Sequence, residues 1–172
     1  GASSKGIVYR ATVSRKNNKK NYALKTFNSY TSEGRTRKKE GRSELQKMRV
    51  LQKLGFPTVP VLAVTRKGLL MKDLTEGGKF RVFDFQRILM DRGWRGHDRE
   101  VFKKYIRATN ALELETQYDK IISLAEHHKI ILGLGSNCIF IVVDTETNHG
   151  KIVIADFGDA YIPDEVMRKY GK

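Results

Sequence analysis

One long helical pattern stands between two pairs of strand-like segments in the first half of the chain. Its apolar residues recur at three-residue steps, at Leu45, Met48, Leu51 and Leu54. Gly55 and Pro57 end the pattern. Residues 6–11 and 21–27 predict a hairpin before the helix, and residues 58–64 and 67–74 predict two strands after it. This order predicts a mostly antiparallel sheet with one helix packed against it.

A polar, glycine-containing stretch at residues 75–78 marks a boundary in the chain. Beyond it, helical patterns cover residues 82–92, 98–108 and 111–128, and strand patterns cover 138–143 and 151–155. The sequence therefore predicts an α+β protein with two lobes. The first covers about residues 1–75, and the second, about residues 79–172, is small and mainly helical.

Basic residues give the chain a formal net charge of +14, from 33 Lys and Arg against 19 Asp and Glu. Such an excess predicts attraction to anions, which include nucleic acid, nucleotide phosphates and acidic protein surfaces. The excess is densest at residues 15–20 and 35–39, and no aromatic residues are interleaved there. A stacking platform for single strands is therefore unsupported, and we expect no specific nucleic-acid partner.

The chain has one cysteine, Cys138, which cannot form an internal disulfide. A fold that needs no oxidising compartment favours a cytosolic site of action, and we expect a buried, inert thiol. No apolar run approaches the length of a membrane span, so we expect no membrane partner.

Small residues at the start of the chain are typical of a loop that binds phosphate through its backbone N–H groups. These residues are Gly1, Ser3, Ser4 and Gly6, and Val8 follows where it could cover a purine. Lys25 lies on the next strand, at a spacing that would put its ammonium beneath the loop. Glu44 on the helix could hold that lysine in place. Taken singly, a strand lysine such as Lys25 is usually solvent-facing, and an exposed helical residue is the alternative for Glu44.

Near the end of the chain, four apolar residues lead into Asp156-Phe157-Gly158. The pattern alone is typical of any β-hairpin turn. Taken in order, however, the small-residue loop, the strand lysine, the helix glutamate, the strand LLMKDL, Asn137 and Asp156-Phe157-Gly158 resemble the protein kinase family. The resemblance covers Gly1 to about Ala160. The segment from Glu44 to Gly77 is most similar to the small atypical RIO and Bud32-type kinases, and similar small kinases occur among secreted bacterial effectors.

The resemblance implies a single minimal kinase-like domain over residues 1–172 that binds ATP and Mg²⁺. Lys25 would contact the α and β phosphates, Glu44 would orient Lys25, and Asn137 and Asp156 would hold the metal. The nucleotide pocket would be formed by Gly1, Ser3, Ser4, Gly6, Val8, Ala23, Lys25 and Met71. We expect phosphoryl transfer to a serine or threonine hydroxyl of a protein substrate.

Two departures from the family pattern affect this reading. Leucines 132 and 134 stand where the family has its histidine and its catalytic aspartate. Asp159 is the favoured substitute base, ahead of Asp144, His127 and His128. The segment after the Asp-Phe-Gly turn is also short, so regulation by loop phosphorylation is not expected.

The missing aspartate leaves two alternatives open: a pseudokinase that serves as a binding module, and a kinase-fold transferase of another group, such as AMP. We expect a monomer that acts in the cytoplasm, or in a host cytosol on a host protein if it is a secreted effector.

Overall fold

The computed structural model describes residues 7–15, 18–27, 37–66, 68–85, 102–132 and 138–171. Its first sheet contains β1 (Ile7–Arg15), β2 (Asn18–Thr26), β3 (Val61–Val64) and β4 (Gly68–Lys72). All neighbouring strands pair antiparallel, in the spatial order β1-β2-β4-β3. The helix α1 (Arg37–Lys53) packs against β3 and β4. These elements confirm the arrangement expected from the sequence.

The end of α1 follows from its residues. Met48 and Leu51 are buried beneath the sheet, as the apolar spacing predicted. Gly55 then takes a φ of +91°, a left-handed conformation that favours glycine. The Phe56 N–H returns to the Leu51 carbonyl oxygen at 3.0 Å, and the chain turns back toward the sheet.

The second sheet contains three antiparallel strands: β5 (Phe80–Asp84), β6 (Ile139–Asp144) and β7 (Gly150–Ile154), in that order. A single π-helical turn, Phe102–Ile106, precedes α2 (Ala111–His127), which packs on β7. The last element is α3 (Asp164–Tyr170). None of the helices in the described ranges is long and apolar enough to cross a membrane.

The helix predicted at residues 82–92 was wrong for its first residues. Residues 80–84 form β5, in which Phe83 pairs with Ile141 of β6. Hydrogen bonding to a neighbouring strand outweighs a local apolar pattern that suits either structure. Residues 86–101 lie outside the described ranges, and of the pattern at 98–108 the structure shows only the π-helical turn. The helix predicted at 111–128 and the strands around residue 144 are confirmed.

Main-chain hydrogen bonds join the second sheet to the connection that leads into the first. Thr58, in the connection from α1 to β3, forms a parallel bridge with Ile154 at the end of β7. The Val59 N–H donates to the Ile154 carbonyl at 2.8 Å, and the Ile154 N–H donates to the Pro57 carbonyl at 2.7 Å. This contact holds the end of β7, and hence Asp156, close to the first sheet.

Close packing at Gly68 fixes the start of β4. Its φ is +154°, and an added Cβ would lie 1.8 Å from the carbonyl oxygen of Lys25 on β2. Only glycine allows the two backbones to approach this closely. Gly68 therefore sets the position of the strand segment that carries Lys25.

Candidate active site

The cleft between the two sheets contains a cavity of about 550 Å³. Residues of β1, β2, β4, β5 and β6 line it, together with the connection after β4 and the residues after β7. A smaller cavity of about 250 Å³ is lined by neither Lys25 nor Asp156. We therefore assign the candidate site to the larger cavity, whose size is in the range of small-molecule sites.

Apolar side chains form two walls of the larger cavity. Val8, Ala23 and Met71 come from the first sheet, and Val82 and Phe140 come from the second. Strand register explains the first wall, because Val8 pairs with Lys25, Ala23 pairs with Met71, and alternate residues face the same side. Apolar walls on both sides suit a flat aromatic ring such as a purine.

Lys25 lines the cavity and lies between two carboxylates. Its Nζ is 2.7 Å from Glu44 Oε1 on α1 and 2.7 Å from Asp156 Oδ1 after β7. The side chains of Lys25 and Glu44 are only 4% and 3% exposed, whereas that of Asp156 is 40% exposed. The structure thus brings together three predicted site residues that are far apart in the sequence.

Burial and charge act in opposite directions on this cluster. Desolvation lowers the pKa of Lys25, but the carboxylates of Glu44 and Asp156 outweigh it and raise the pKa above its ordinary value of 10.5. Burial raises the pKa of Glu44 despite the opposing charge of Lys25. The cluster therefore favours a charged Lys25, while the charged form of Glu44 depends on Lys25 as its partner.

Asp156 combines a fixed orientation with access to the cavity. Its Oδ1 accepts the Gly158 N–H at 3.0 Å in addition to Lys25 Nζ. Carboxylate oxygens are the hard donors that Mg²⁺ takes, and Mg²⁺ is commonly held by one or two carboxylates together with substrate phosphates. Among the described residues no cluster of three or more His, Cys, Asp or Glu could hold a metal alone. The residues present fit a magnesium ion that shares its ligands with a nucleotide.

Two acidic residues that line the cavity were missed in the sequence analysis. Asp73, directly after β4, accepts hydrogen bonds at Oδ1 from the Thr75 N–H at 2.9 Å and the Thr75 hydroxyl at 2.8 Å. Its Oδ2 has Arg10 Nε at 3.7 Å, an ion-pair distance that is too long for a hydrogen bond. Asp84, at the end of β5, also lines the cavity. The only sequence signal for either residue was an acid at the end of a strand.

None of the four candidate substitutes for the missing base, Asp159, Asp144, His127 and His128, lines the cavity, and Leu134 lies outside the described ranges. Leu132 is buried, and Asp159 is exposed in the turn after Gly158, outside the lining. Asp144 accepts N–H hydrogen bonds from Glu146 and Thr147, as a turn residue does, and the Thr147 bond holds its pKa below the usual range. His127 and His128 contact each other at the end of α2. The role proposed for Asp159 stays a prediction.

Cys138 is buried beside the candidate metal ligand. Its thiol donates to the carbonyl oxygens of Asp156 at 2.9 Å and Leu132 at 3.2 Å. Burial raises the pKa of the thiol to about 12. The thiol is therefore protonated at neutral pH and links the two segments that flank the candidate site.

Five predicted site residues lie outside the described ranges: Gly1, Ser3, Ser4, Gly6 and Asn137. Of the others, Val8, Ala23, Lys25, Met71 and Asp156 line the cavity, and Glu44 contacts it through Lys25.

Comparison with solved structures identifies the fold. A crystal structure of CtkA, a proinflammatory kinase of Helicobacter pylori, superposes on 90% of this chain with a TM-score of 0.52 and 15% sequence identity. The chain has a kinase-like fold. This fold is the α+β arrangement of two small lobes that the sequence predicted. The chain spans 57% of the length of CtkA. No model of a protein family matches the sequence, and no curated protein matches it.

Proposed function

We propose that this kinase-like chain binds ATP with Mg²⁺ and transfers a phosphoryl group to a protein hydroxyl, as a minimal atypical serine/threonine kinase. The observation that carries the proposal is the position of Lys25, which lines an apolar-walled cavity and is held between buried Glu44 and accessible Asp156. A lysine fixed in this way can bind phosphate oxygens without reorganising.

Each residue of the cluster has a distinct task in the proposal. Lys25 binds the phosphates, and Glu44 holds the ammonium in place from α1. Asp156 and Asn137 would hold Mg²⁺, which when bound would neutralise charge on the phosphates. The apolar walls at Ala23 and Phe140 exclude water and orient the base. Positioning and electrostatics account for most of phosphoryl-transfer catalysis, so the absence of the usual aspartate does not by itself exclude activity.

The proposal extends to the class of kinase and to its setting. Similarity in the segment from Glu44 to Gly77 favours the small RIO and Bud32-type kinases or secreted bacterial effector kinases. The acceptor would then be a protein in the cytoplasm, or a host protein in the host cytosol, and the chain would act as a monomer.

A second candidate function is a pseudokinase that binds nucleotide or a partner without transfer. It is favoured by buried Leu132 and by exposed Asp159 lying outside the cavity lining. Transfer of AMP is a third outcome that an altered catalytic segment would allow. The kinase and the AMP transferase would leave different adducts on the acceptor, and the pseudokinase would leave none.

Thermal unfolding tests the binding step. ATP at a hundred times its dissociation constant stabilises a protein by about 2.7 kcal/mol, or roughly 5–10 °C for a chain of this size. We expect this shift with Mg²⁺, a much smaller shift with EDTA, and loss of the difference in Asp156→Asn. Asp164→Asn, which removes an exposed carboxylate from α3, is the charge-matched control. Equal shifts with Mg²⁺ and EDTA in the wild type would remove the metal role of Asp156.

Mass spectrometry after incubation with Mg-ATP tests the transfer step. Phosphorylation adds about 80 Da to the chain or to an added protein, and AMP adds about 329 Da, from the composition of the transferred groups. We expect the smaller increment. Binding of Mg-ATP with no adduct on any protein offered would favour the pseudokinase.

A further inference from the structure

Lys47 connects α1 to the turn that carries Asp156. It lies three residues after Glu44, so the two side chains share one face of the helix. Its Nζ donates to the Gly158 carbonyl oxygen at 3.0 Å, and the Phe157 carbonyl oxygen lies 3.5 Å away. Glu44 Oε1 accepts the Phe157 N–H at 3.4 Å. One turn of α1 therefore contacts both the N–H and the carbonyl groups of the Asp156 turn.

These contacts act on the orientation of the Asp156 carboxylate. Asp156 Oδ1 accepts the Gly158 N–H, so the peptide groups around Phe157 and Gly158 determine where the carboxylate points. A bond from a charged ammonium is stronger than one between neutral groups, and the half-buried position of Lys47 shields it from water. Lys47 thus fixes the carbonyl side of the turn, while Glu44 contacts its N–H side.

We propose that Lys47 is a positioning residue that holds the Asp156 turn against α1, so that the Asp156 carboxylate faces Lys25 and the cavity. This inference deepens the proposed function and rests on it for its catalytic meaning. The positional claim itself rests only on the contacts of Lys47 with the turn. It assigns to α1 a second task beyond presenting Glu44 to Lys25.

The same helix provides a matched control. Lys53 donates from its Nζ to the Tyr170 carbonyl oxygen at 2.9 Å, at an exposed contact with α3. This is also a lysine bond from α1 to a main-chain carbonyl, but it does not involve the Asp156 turn. Lys47→Met and Lys53→Met therefore remove the same kind of bond at two places, and only the first should loosen the turn.

Alkylation of Cys138 measures the turn independently of any activity. Cys138 is the only cysteine, is 2% exposed, and donates its thiol hydrogen to the Asp156 carbonyl. Loss of one charge-assisted hydrogen bond should raise its alkylation rate by about tenfold in Lys47→Met. The probe is iodoacetamide in native buffer, followed by mass spectrometry. Lys47→Arg, which keeps the charge, should stay near the wild-type rate, and so should Lys53→Met.

The Mg²⁺ requirement of ATP binding is the second readout. In Lys47→Met, the Mg²⁺ concentration that gives half of the ATP-induced thermal shift should rise by about tenfold, with the shift in EDTA unchanged. A purely structural role would not change the metal requirement selectively. Should Lys47→Met fold poorly, Lys47→Gln serves in the same two measurements.

Equal alkylation rates and equal Mg²⁺ requirements in Lys47→Met and Lys53→Met would overturn the inference. If the wild type binds no Mg-ATP, the proposed function fails, but the alkylation rates of the two variants still decide whether Lys47 holds the turn.

Discussion

Replacing Lys25 by methionine leaves a buried carboxylate without its partner. The Glu44 side chain is 3% exposed, its Oε1 accepts a hydrogen bond from Lys25, and its Oε2 has no hydrogen-bond partner among the described residues. Removing one member of a buried ion pair typically costs about 3–5 kcal/mol, because the remaining charge is uncompensated. Methionine has a similar length, so little of this loss comes from a cavity. For a chain of this size the melting temperature should fall by roughly 6–20 °C.

The cost of Lys25→Met should depend on pH through Glu44. Burial raises the pKa of Glu44 even with Lys25 present, and loss of the ammonium raises that pKa further. A carboxyl group whose pKa is higher in the folded state than in the unfolded state adds its full stability below the unfolded-state pKa, which is near 4.5 for Glu44. That stability is lost as the pH rises through the folded-state pKa. The variant should therefore be closer to the wild type at about pH 5 than at about pH 8.

Urea unfolding of both proteins at the two pH values measures this difference. Lys25→Met combined with Glu44→Gln removes the buried charge as well and should recover most of the loss at about pH 8. A loss of the same size at both pH values, or no recovery in the double variant, would refute the account of Lys25 and Glu44 as a buried ion pair.

Three further predictions concern residues around the site. Native Cys138 should resist iodoacetamide at about pH 8 and react fully in urea, because burial raises the pKa of its thiol to about 12. Rapid labelling of the native protein would contradict the burial of this thiol. Gly68→Ala should lower the free energy of unfolding in urea by about 2–4 kcal/mol, because the added Cβ would meet the Lys25 carbonyl oxygen. Gly55 also has a positive φ but has open space around it, so Gly55→Ala should lower that free energy by about 1 kcal/mol. Equal losses would show that the contact at Gly68 relaxes freely. Asp159→Asn should slow phosphoryl transfer, measured by autophosphorylation, and leave the Mg-ATP affinity, measured by thermal shift, unchanged. A wild-type rate of transfer in this variant would show that Asp159 is not the substitute base.

Much of the fold could be predicted because its local patterns are unambiguous. The spacing of Met48 and Leu51 suits only a helix, and Gly55 supplies the backbone conformation that ends it. Residues 80–85 gave an ambiguous signal, because their apolar positions fit both helical and strand periodicity. Pairing with β6 decides the structure there, and a neighbour some 60 residues away leaves no local signal.

The candidate site could be predicted only in part. Lys25 and Asp156 are 131 residues apart, and periodicity cannot show that they meet; the family resemblance supplied that link. Lys47 was overlooked because a lysine on an amphipathic helix has the same sequence pattern whether it is solvated or bonded to a carbonyl. Asp73 was overlooked for a related reason, since its hydrogen bonds with Thr75 depend on the turn geometry after β4.

The bridge between Thr58 and Ile154 restricts how the cleft can change its width. Its two main-chain hydrogen bonds tie the end of β7 to the connection between α1 and β3, and breaking them would expose the buried main chain of Val59 and Ile154. We expect widening at β1, an edge strand of the described first sheet, whose Val8 lines the cavity and is 58% exposed. A nucleotide would then be admitted by displacement of β1 alone, which leaves Lys25 on β2 in contact with Glu44 and Asp156. Ligand-dependent changes in amide exchange should accordingly be concentrated in β1 and be small around Lys25 and Ile154.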